Sequence, residues 1–299
     1  SEMCIRDSAY TLALFAQDEI KLLRNLQALI GVRYIYHENF KNHATPNVAL
    51  MYKPGKFNFR ASYAAGFRTP TLSELYATDI AKKNDRLTIG NLDLKPEKNN
   101  YFSLSAEYVH ERFSVSVNAF YNNIRDMIDY NTIATGNKAM EQYGHKEVRQ
   151  RDNIAEAKVH GINVSANAYL GAGFNLSGGY THLNTQDVEL EQPIDKSIKN
   201  AYNINAQWAH SWKIYRLNIN LNGRINSKRF SKSYGYAPEY QLWDLNTRHS
   251  FNLKSVIIEP GCGMENLFDY MDDRPYNSNY ATLTPGRSFY ISLSLKFKS

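Results

Sequence analysis

The 299-residue sequence is notable first for what it lacks. No stretch approaches the roughly 20 consecutive apolar residues that a spanning helix needs, and mean hydropathy is −0.53. A helical membrane protein is therefore excluded. Only two cysteines occur, Cys4 and Cys262, and neither lies in a CxxC or a His/Cys cluster, so no disulfide framework or redox motif is present. None of the eight histidines forms an H-x-H or H-E-x-x-H arrangement, which leaves a zinc site without support. There is no G-x-S-x-G and no Ser/His/Asp cluster distinguishable from chance, so no enzyme is expected. The net charge of +6 is scattered among apolar residues rather than gathered into a stripe, and no nucleic-acid partner is expected.

A basic n-region followed by an apolar h-region, the mark of a secretory signal, is also missing. The chain opens instead with Ser1-Glu2-Met3-Cys4-Ile5-Arg6-Asp7-Ser8. This octet resembles the read-through translation of a sequencing adapter. The expectation is that Ser1–Ser8 stand outside the natural protein and that residues 9–299 are the C-terminal part of something longer.

Aromatics are plentiful, with 22 Tyr and 14 Phe, as in the girdles of transmembrane barrels. Alternation with period two runs through much of the chain. Tyr215, Leu217, Ile219 and Leu221 alternate with Arg216, Asn218, Asn220 and Asn222; Phe289, Ile291, Leu293, Leu295 and Phe297 alternate with Tyr290, Ser292, Ser294 and Lys296. Such patterns define strands with one apolar and one polar face. A soluble sandwich and a membrane barrel both offer such strands. Two features favour the barrel. Several strands read as about 10 to 14 residues, near or above the roughly 9 to 11 that cross a bilayer. The links also alternate between short and long, as periplasmic turns and extracellular loops do. Short links are expected at 21–25, 53–56, 110–112, 171–173, 211–213 and 252–254. Long ones are expected at 66–97, 126–152, 186–199, 227–239 and 269–286, with a shorter one at 38–45. The fold expected is all-β, an antiparallel transmembrane barrel wall of about thirteen strands; closed bacterial barrels have an even number.

Several motifs then carry a family resemblance. Phe67-Arg68-Thr69-Pro70 with Leu72, Glu74, Leu75 and Tyr76, and Gly90-Asn91-Leu92-Asp93-Leu94-Lys95-Pro96-Glu97, resemble loop motifs of TonB-dependent receptors. Leu14 to Glu19, Gly31 to Tyr34, Ala157 to Asn163, Glu265 to Asp269 and Pro285-Gly286-Arg287 are similar to further segments of that family, in the same order. Asn163 stands where the family usually has Glu, and the chain ends on Lys298-Ser299 rather than on an aromatic residue.

The resemblance implies a barrel of about 22 strands, plugged by an N-terminal domain that this chain does not contain, in the bacterial outer membrane. It implies TonB-driven uptake of a scarce ligand, first a ferric siderophore, with cobalamin or haem as alternatives. The stretch 71–89 contains no His, which counts against haem. A barrel enzyme or a passive porin is the alternative of another class. Partners implied are outer-membrane lipid, the TonB complex through the missing N-terminal part, the plug, and a small-molecule metal chelate; no cofactor is expected. Ligand-binding candidates are Arg68, Tyr76, Tyr143, His145, Arg149, Arg151, Tyr234, Tyr236, Arg274 and Tyr276. Arg33, Arg60, Arg216 and Arg224 are expected to face the lumen and its plug, since enclosed Arg is normally paired with carboxylate.

Overall fold

A computed structural model describes residues 9–82, 84–231, 235–272 and 285–298, leaving out the side chains of 154 and 155. The first four strands are β1 (Thr11–Leu23), β2 (Leu26–His37), β3 (Lys41–Tyr52) and β4 (Phe57–Arg68). A short helix α1 (Leu72–Tyr76) and a small hairpin, β5 (Thr78–Ala81) and β6 (Arg86–Ile89), follow. Next come β7 (Glu97–Val109), β8 (Phe113–Thr135), helix α2 (Gly136–Tyr143), β9 (Glu147–Gly171) and β10 (Phe174–Asp187). The chain continues through β11 (Asn200–Trp212), β12 (Tyr215–Asn226) and a second small hairpin, β13 (Arg229–Ser231) and β14 (Gly235–Ala237). It closes with β15 (Tyr240–Asn252), β16 (Val256–Glu265) and β17 (Ser288–Phe297).

Thirteen of these form one antiparallel wall in the order β1-β2-β3-β4-β7-β8-β9-β10-β11-β12-β15-β16-β17. Each of the thirteen expected strands has its counterpart. Because every wall strand pairs with the next one along the chain, successive connections fall at opposite ends. At one end all six are short: 24–25, 53–56, 110–112, 172–173, 213–214 and 253–255; at the other end the β2–β3 connection, 38–40, is also a tight turn. The turn after β9 is tight: Gly171, Ala172 and Gly173 all have positive φ (92°, 49°, 86°). A Cβ at Gly173 would run into the carbonyl oxygen of Ala209, so no larger residue fits there.

Cross-strand partners share a face, and the two faces differ in chemistry throughout. One row runs Leu50–Ala61–Leu104–Ala119–Ile162 across five strands. Another runs Ile219–Thr247–Cys262–Ile291. On the opposite face Asn205, Asn222 and Asp244 lie in register. Its polar groups bond between strands: Ser62 to Ser103 (2.6 Å), Ser116 to Ser165 (2.7 Å), and the Asn205 amide donating to Asn220 (2.8 Å) and Asn222 (2.6 Å).

Burial decides what the apolar face is for. Among the described residues only ten hydrophobic side chains are buried, whereas Leu104 is 63 %, Leu293 66 % and Ile291 88 % exposed. A water-soluble sandwich would hide these side chains in a core. A barrel wall presents them to lipid. Among the described residues no helix is long and apolar enough to cross a membrane.

Two expectations need correction. The link expected at 38–45 is a turn of 38–40, because β3 begins at Lys41 in register with His37. Residues 126–152 do not form a loop between two wall strands. β8 is 23 residues long and β9 is 25, so the hairpin continues well past the wall and only α2 and its flanks turn the chain. The sequence 127–135 is rich in β-branched and aromatic residues (Ile128, Tyr130, Thr132, Ile133), which favour continued pairing. A positive φ at Asp126 (55°) and the register shift between Ile124 and Met127 form a bulge there, the kind of irregularity that bends and twists a strand locally.

Candidate functional site at the long-connection end

Arg68 ends β4 directly opposite Glu97, which begins β7. Its Nε and Nη2 donate to the two Glu97 carboxylate oxygens (2.8 and 2.6 Å), and its Nη1 and Nη2 donate to those of Glu74 (2.8 and 3.2 Å). Glu74 is held at the third position of α1 by a capping box. Its backbone N–H donates to Thr71 Oγ1, while its carboxylate accepts from the Thr71 backbone N–H (2.8 Å). Glu97 Oε1 also accepts the Ile128 N–H (2.8 Å). One guanidinium thus ties β4, α1, β7 and the base of the β8–β9 arm together. Burial acts to raise the Glu74 pKa, but the Arg68 hydrogen bond and the two Thr71 donors outweigh it, holding the carboxyl below its ordinary range.

Beside this clamp, Leu75, Leu94 and Ile128 form a small buried cluster, flanked by Tyr76 and Phe40. The Gly90–Glu97 motif supplies the rest of the base. Gly90 lies so close to the Leu75 carbonyl that a Cβ would clash, and the Asn91 N–H donates to the Glu74 carbonyl (3.0 Å). The Asn153 amide donates to the Lys95 and Asp126 carbonyls (2.9 and 2.6 Å), while its oxygen accepts the Lys95 N–H (2.7 Å). Both loop motifs are therefore architecture for the loop base.

Higher on the arm, β6 pairs in parallel with β9. Ala134, Ala139 and Val148 are buried there, with Tyr143 and Leu87 packed against them. His145 Nδ1 lies 2.8 Å from Asp85 Oδ1, joining the arm to the β5–β6 turn. That bond to His145 holds the Asp85 carboxyl below its ordinary range, against a smaller opposing effect of burial.

The candidates thus divide. Arg68 is occupied by two carboxylates, Tyr76 and Tyr143 pack against local cores, His145 is paired with Asp85, and Arg149 is paired with Glu147 (2.5 Å). Arg151 donates to the Tyr130 hydroxyl (2.6 Å) with its guanidinium 3.7 Å from the centre of that ring, and Tyr130 is 41 % exposed. Tyr236 is exposed on the separate β13–β14 hairpin, edge-on to Phe230. Tyr234, Arg274 and Tyr276 lie outside the described residues. Tyr130, Glu74, Glu97 and Asp85 were not among the candidates; Thr71-x-x-Glu74 is a capping-box signature that points to one of them.

Arg33, Arg60, Arg216 and Arg224 all occupy the polar face, by register, and all are exposed. Arg60 bonds to the Met51 sulfur (3.4 Å), and none of the four has a carboxylate partner among the described residues. No group of three or more His, Cys, Asp or Glu able to hold a metal occurs among them either. Two grooves of about 570 Å³ each are lined mainly by wall residues of the apolar face such as Leu104, Tyr63, Leu176 and Trp208, a surface for lipid rather than for a polar ligand.

A thirteen-strand antiparallel wall, apolar on one face, with tight turns throughout one end and, apart from β2–β3, elaborated connections at the other, defines an outer-membrane type of β-barrel. The chain belongs to the TonB-dependent receptor-like β-barrel family, whose model matches residues 5–267. It is 23 % identical to a ferric enterobactin receptor of Pseudomonas aeruginosa, covering 97 % of this chain and 43 % of that protein. The solved ferric enterobactin receptor of that organism superposes with a TM-score of 0.78 at 21 % identity, over 97 % of this chain and 45 % of the other. The P. aeruginosa siderophore receptor PirA gives 0.72 at 18 % identity, over 97 % and 49 % of the two chains. A copper transporter, OprC, gives 0.72 at 12 % identity, over 96 % and 48 %. The chain thus spans less than half the length of these relatives.

Proposed function

We propose that this chain is part of the barrel of a bacterial outer-membrane receptor that takes up a scarce small-molecule metal chelate, a ferric siderophore in the first instance, driven by the TonB complex. The family match over residues 5–267 carries the reading, and the ferric enterobactin and siderophore receptors among its relatives support the ligand class. The long-connection end offers chemistry suited to an anionic chelate: the Arg151 guanidinium stacked on Tyr130, and the exposed Tyr236. Arg33, Arg60, Arg216 and Arg224, which have no carboxylate partner among the described residues, would meet carboxylates of the plug inside the lumen.

The test is growth of an iron-starved deletion strain complemented with the full-length receptor. Restored growth on a ferric catecholate, dependent on TonB, is expected. Restoration only by haem, cobalamin or a copper chelate would move the receptor to another ligand class. Uptake that persists without TonB would point to a passive pore.

A further inference from the structure

The six short turns carry a charge pattern that ligand uptake does not use. Five of them contribute cations: Arg24, Lys53 with Lys56, Arg112, Lys213 and Lys254. Glu111 is the lone carboxylate in these turns. All six cations are exposed, and none forms an ion pair with another described residue. The long connections differ, mixing signs freely: the segment between β4 and β7 has Asp79, Asp85 and Asp93 beside Lys82, Arg86 and Lys95. The positive rim is therefore confined to one end of the wall.

Immediately next to this rim, on the apolar face, lies a band of aromatic side chains. Tyr108 stacks obliquely between Phe57 (4.9 Å) and Phe113 (5.6 Å), next to the turns that hold Lys56 and Arg112. Further along the wall, Trp212 packs on Tyr215 (5.6 Å), which packs on Phe251 (5.0 Å), beside Lys213 and Lys254. Trp212 is 46 % exposed and the turn residue Ile214 57 %. Aromatic rings seat at the boundary between headgroups and acyl chains. A Lys or Arg one or two residues beyond that boundary reaches phosphate height with its charged tip while its stem stays among apolar groups.

We propose that this short-turn rim is a binding surface for anionic phospholipid headgroups of the leaflet it borders. Resting on the membrane-barrel reading above, the inference adds lipid class and place: cations at five turns face phosphates while the aromatic band fixes their depth. Attraction of exposed Lys and Arg to anionic headgroups is salt-sensitive and grows with the number of cations.

The experiment uses the full-length receptor, reconstituted in vesicles of phosphatidylcholine with or without phosphatidylglycerol, then extracted and weighed by native mass spectrometry with its retained lipids. Preferential retention of phosphatidylglycerol is expected. It should fall severalfold in a variant combining Lys53→Gln, Lys56→Gln, Lys213→Gln and Lys254→Gln, and in high salt. A control carrying Lys82→Gln and Lys138→Gln in the long connections should retain lipid like the parent. Heat-modifiability on gels verifies that each variant is a folded barrel. Equal retention of both lipids, or equal retention by parent and rim variant, overturns the proposal alone. So does capture of polyglutamate by the rim with no preference between lipids. A parent that inserts into neither vesicle overturns the membrane reading, and the proposal with it.

Discussion

Arg68 and Glu97 stand opposite each other at the ends of β4 and β7, joined by two hydrogen bonds of 2.8 and 2.6 Å, and the same guanidinium turns its other edge to Glu74. The partners lie 29 and 6 residues away in the chain, so this one side chain closes a large loop and a small one together. The forked geometry of Arg suits two carboxylates; a Lys would meet them only as a point charge.

Arg68→Ala is therefore expected to loosen the loop base rather than to abolish ligand binding directly. Hydrogen bonds to charged groups contribute roughly 1.5 to 3 kcal/mol, and with 42 % of the Arg68 side chain exposed solvent reduces this to about 1 to 2 kcal/mol. Hydrogen exchange in full-length receptor should accelerate at 72–76 and 126–130 while wall strands keep their protection. Arg68→Lys should recover only part of the difference. Unchanged exchange in both segments would remove the clamp from the account of the loop base.

The same clamp sets a pH dependence. The folded-state pKa of Glu74 is lowered chiefly because Arg68 and Thr71 outweigh the opposing effect of burial. For a carboxyl of this kind, the stabilisation is present above the unfolded pKa and disappears as pH falls through the folded value. Local protection of 72–76 should thus be constant near neutrality and decline only in acid, below the ordinary carboxylate range. Glu74→Gln should flatten that decline. A loss already under way near neutrality, well above the ordinary carboxylate range, would take the Arg68–Glu74 contact out of the pH dependence.

The two faces of the wall make a sharper contrast. Ile219 is in register with Trp208 and Thr247 on the apolar face, and Asn220 with Gln207 and Asn246 on the polar one. Ile219→Arg should cost about 2 to 4 kcal/mol near mid-bilayer, and Asn220→Arg much less. Folding of full-length receptor into lipid vesicles, followed by heat-modifiability, measures both. Equal penalties would mean that the faces are assigned wrongly.

These faces were legible in the sequence because strand alternation is local: Leu217 to Asn222 carries its own pattern without reference to any other segment. Tight turns were legible for the same reason, and 53–56 and 110–112 coincide with their expected limits. The loop base was not. The roles of Arg68, Glu97 and Asn153 depend on contacts between segments that only the folded chain brings together, so an exposed-looking loop Arg read as a ligand contact proves to be held by two carboxylates. The outward extension of β8 and β9 was missed because Asp126, Asn131 and Gly136 look like loop residues, whereas the pairing of Tyr130 with Arg151 and of Thr132 with Arg149 is a cross-strand property.

That cross-strand pairing leads to the prediction about the ligand. Arg151 lies 3.7 Å from the centre of the Tyr130 ring and donates to its hydroxyl at 2.6 Å. A cation over an aromatic face is attracted to it, and a side chain already ordered loses less entropy when a ligand arrives. If an anionic ferric chelate binds at this arm, Arg151→Gln should raise its Kd about 5- to 20-fold, the equivalent of roughly 1 to 2 kcal/mol. The defect should shrink in high salt, because the lost contribution is largely electrostatic. Tyr130→Phe, which keeps the ring and loses only the hydroxyl contact, should have a smaller effect; Tyr130→Leu should approach the Arg151 variant. Quenching of tryptophan fluorescence in the full-length receptor can follow the titration, with hydrogen exchange of β8 and β9 as a check that the arm stays folded. A folded Arg151→Gln receptor with parental affinity for every anionic chelate tried would place the ligand contacts elsewhere, on other long connections or on the plug.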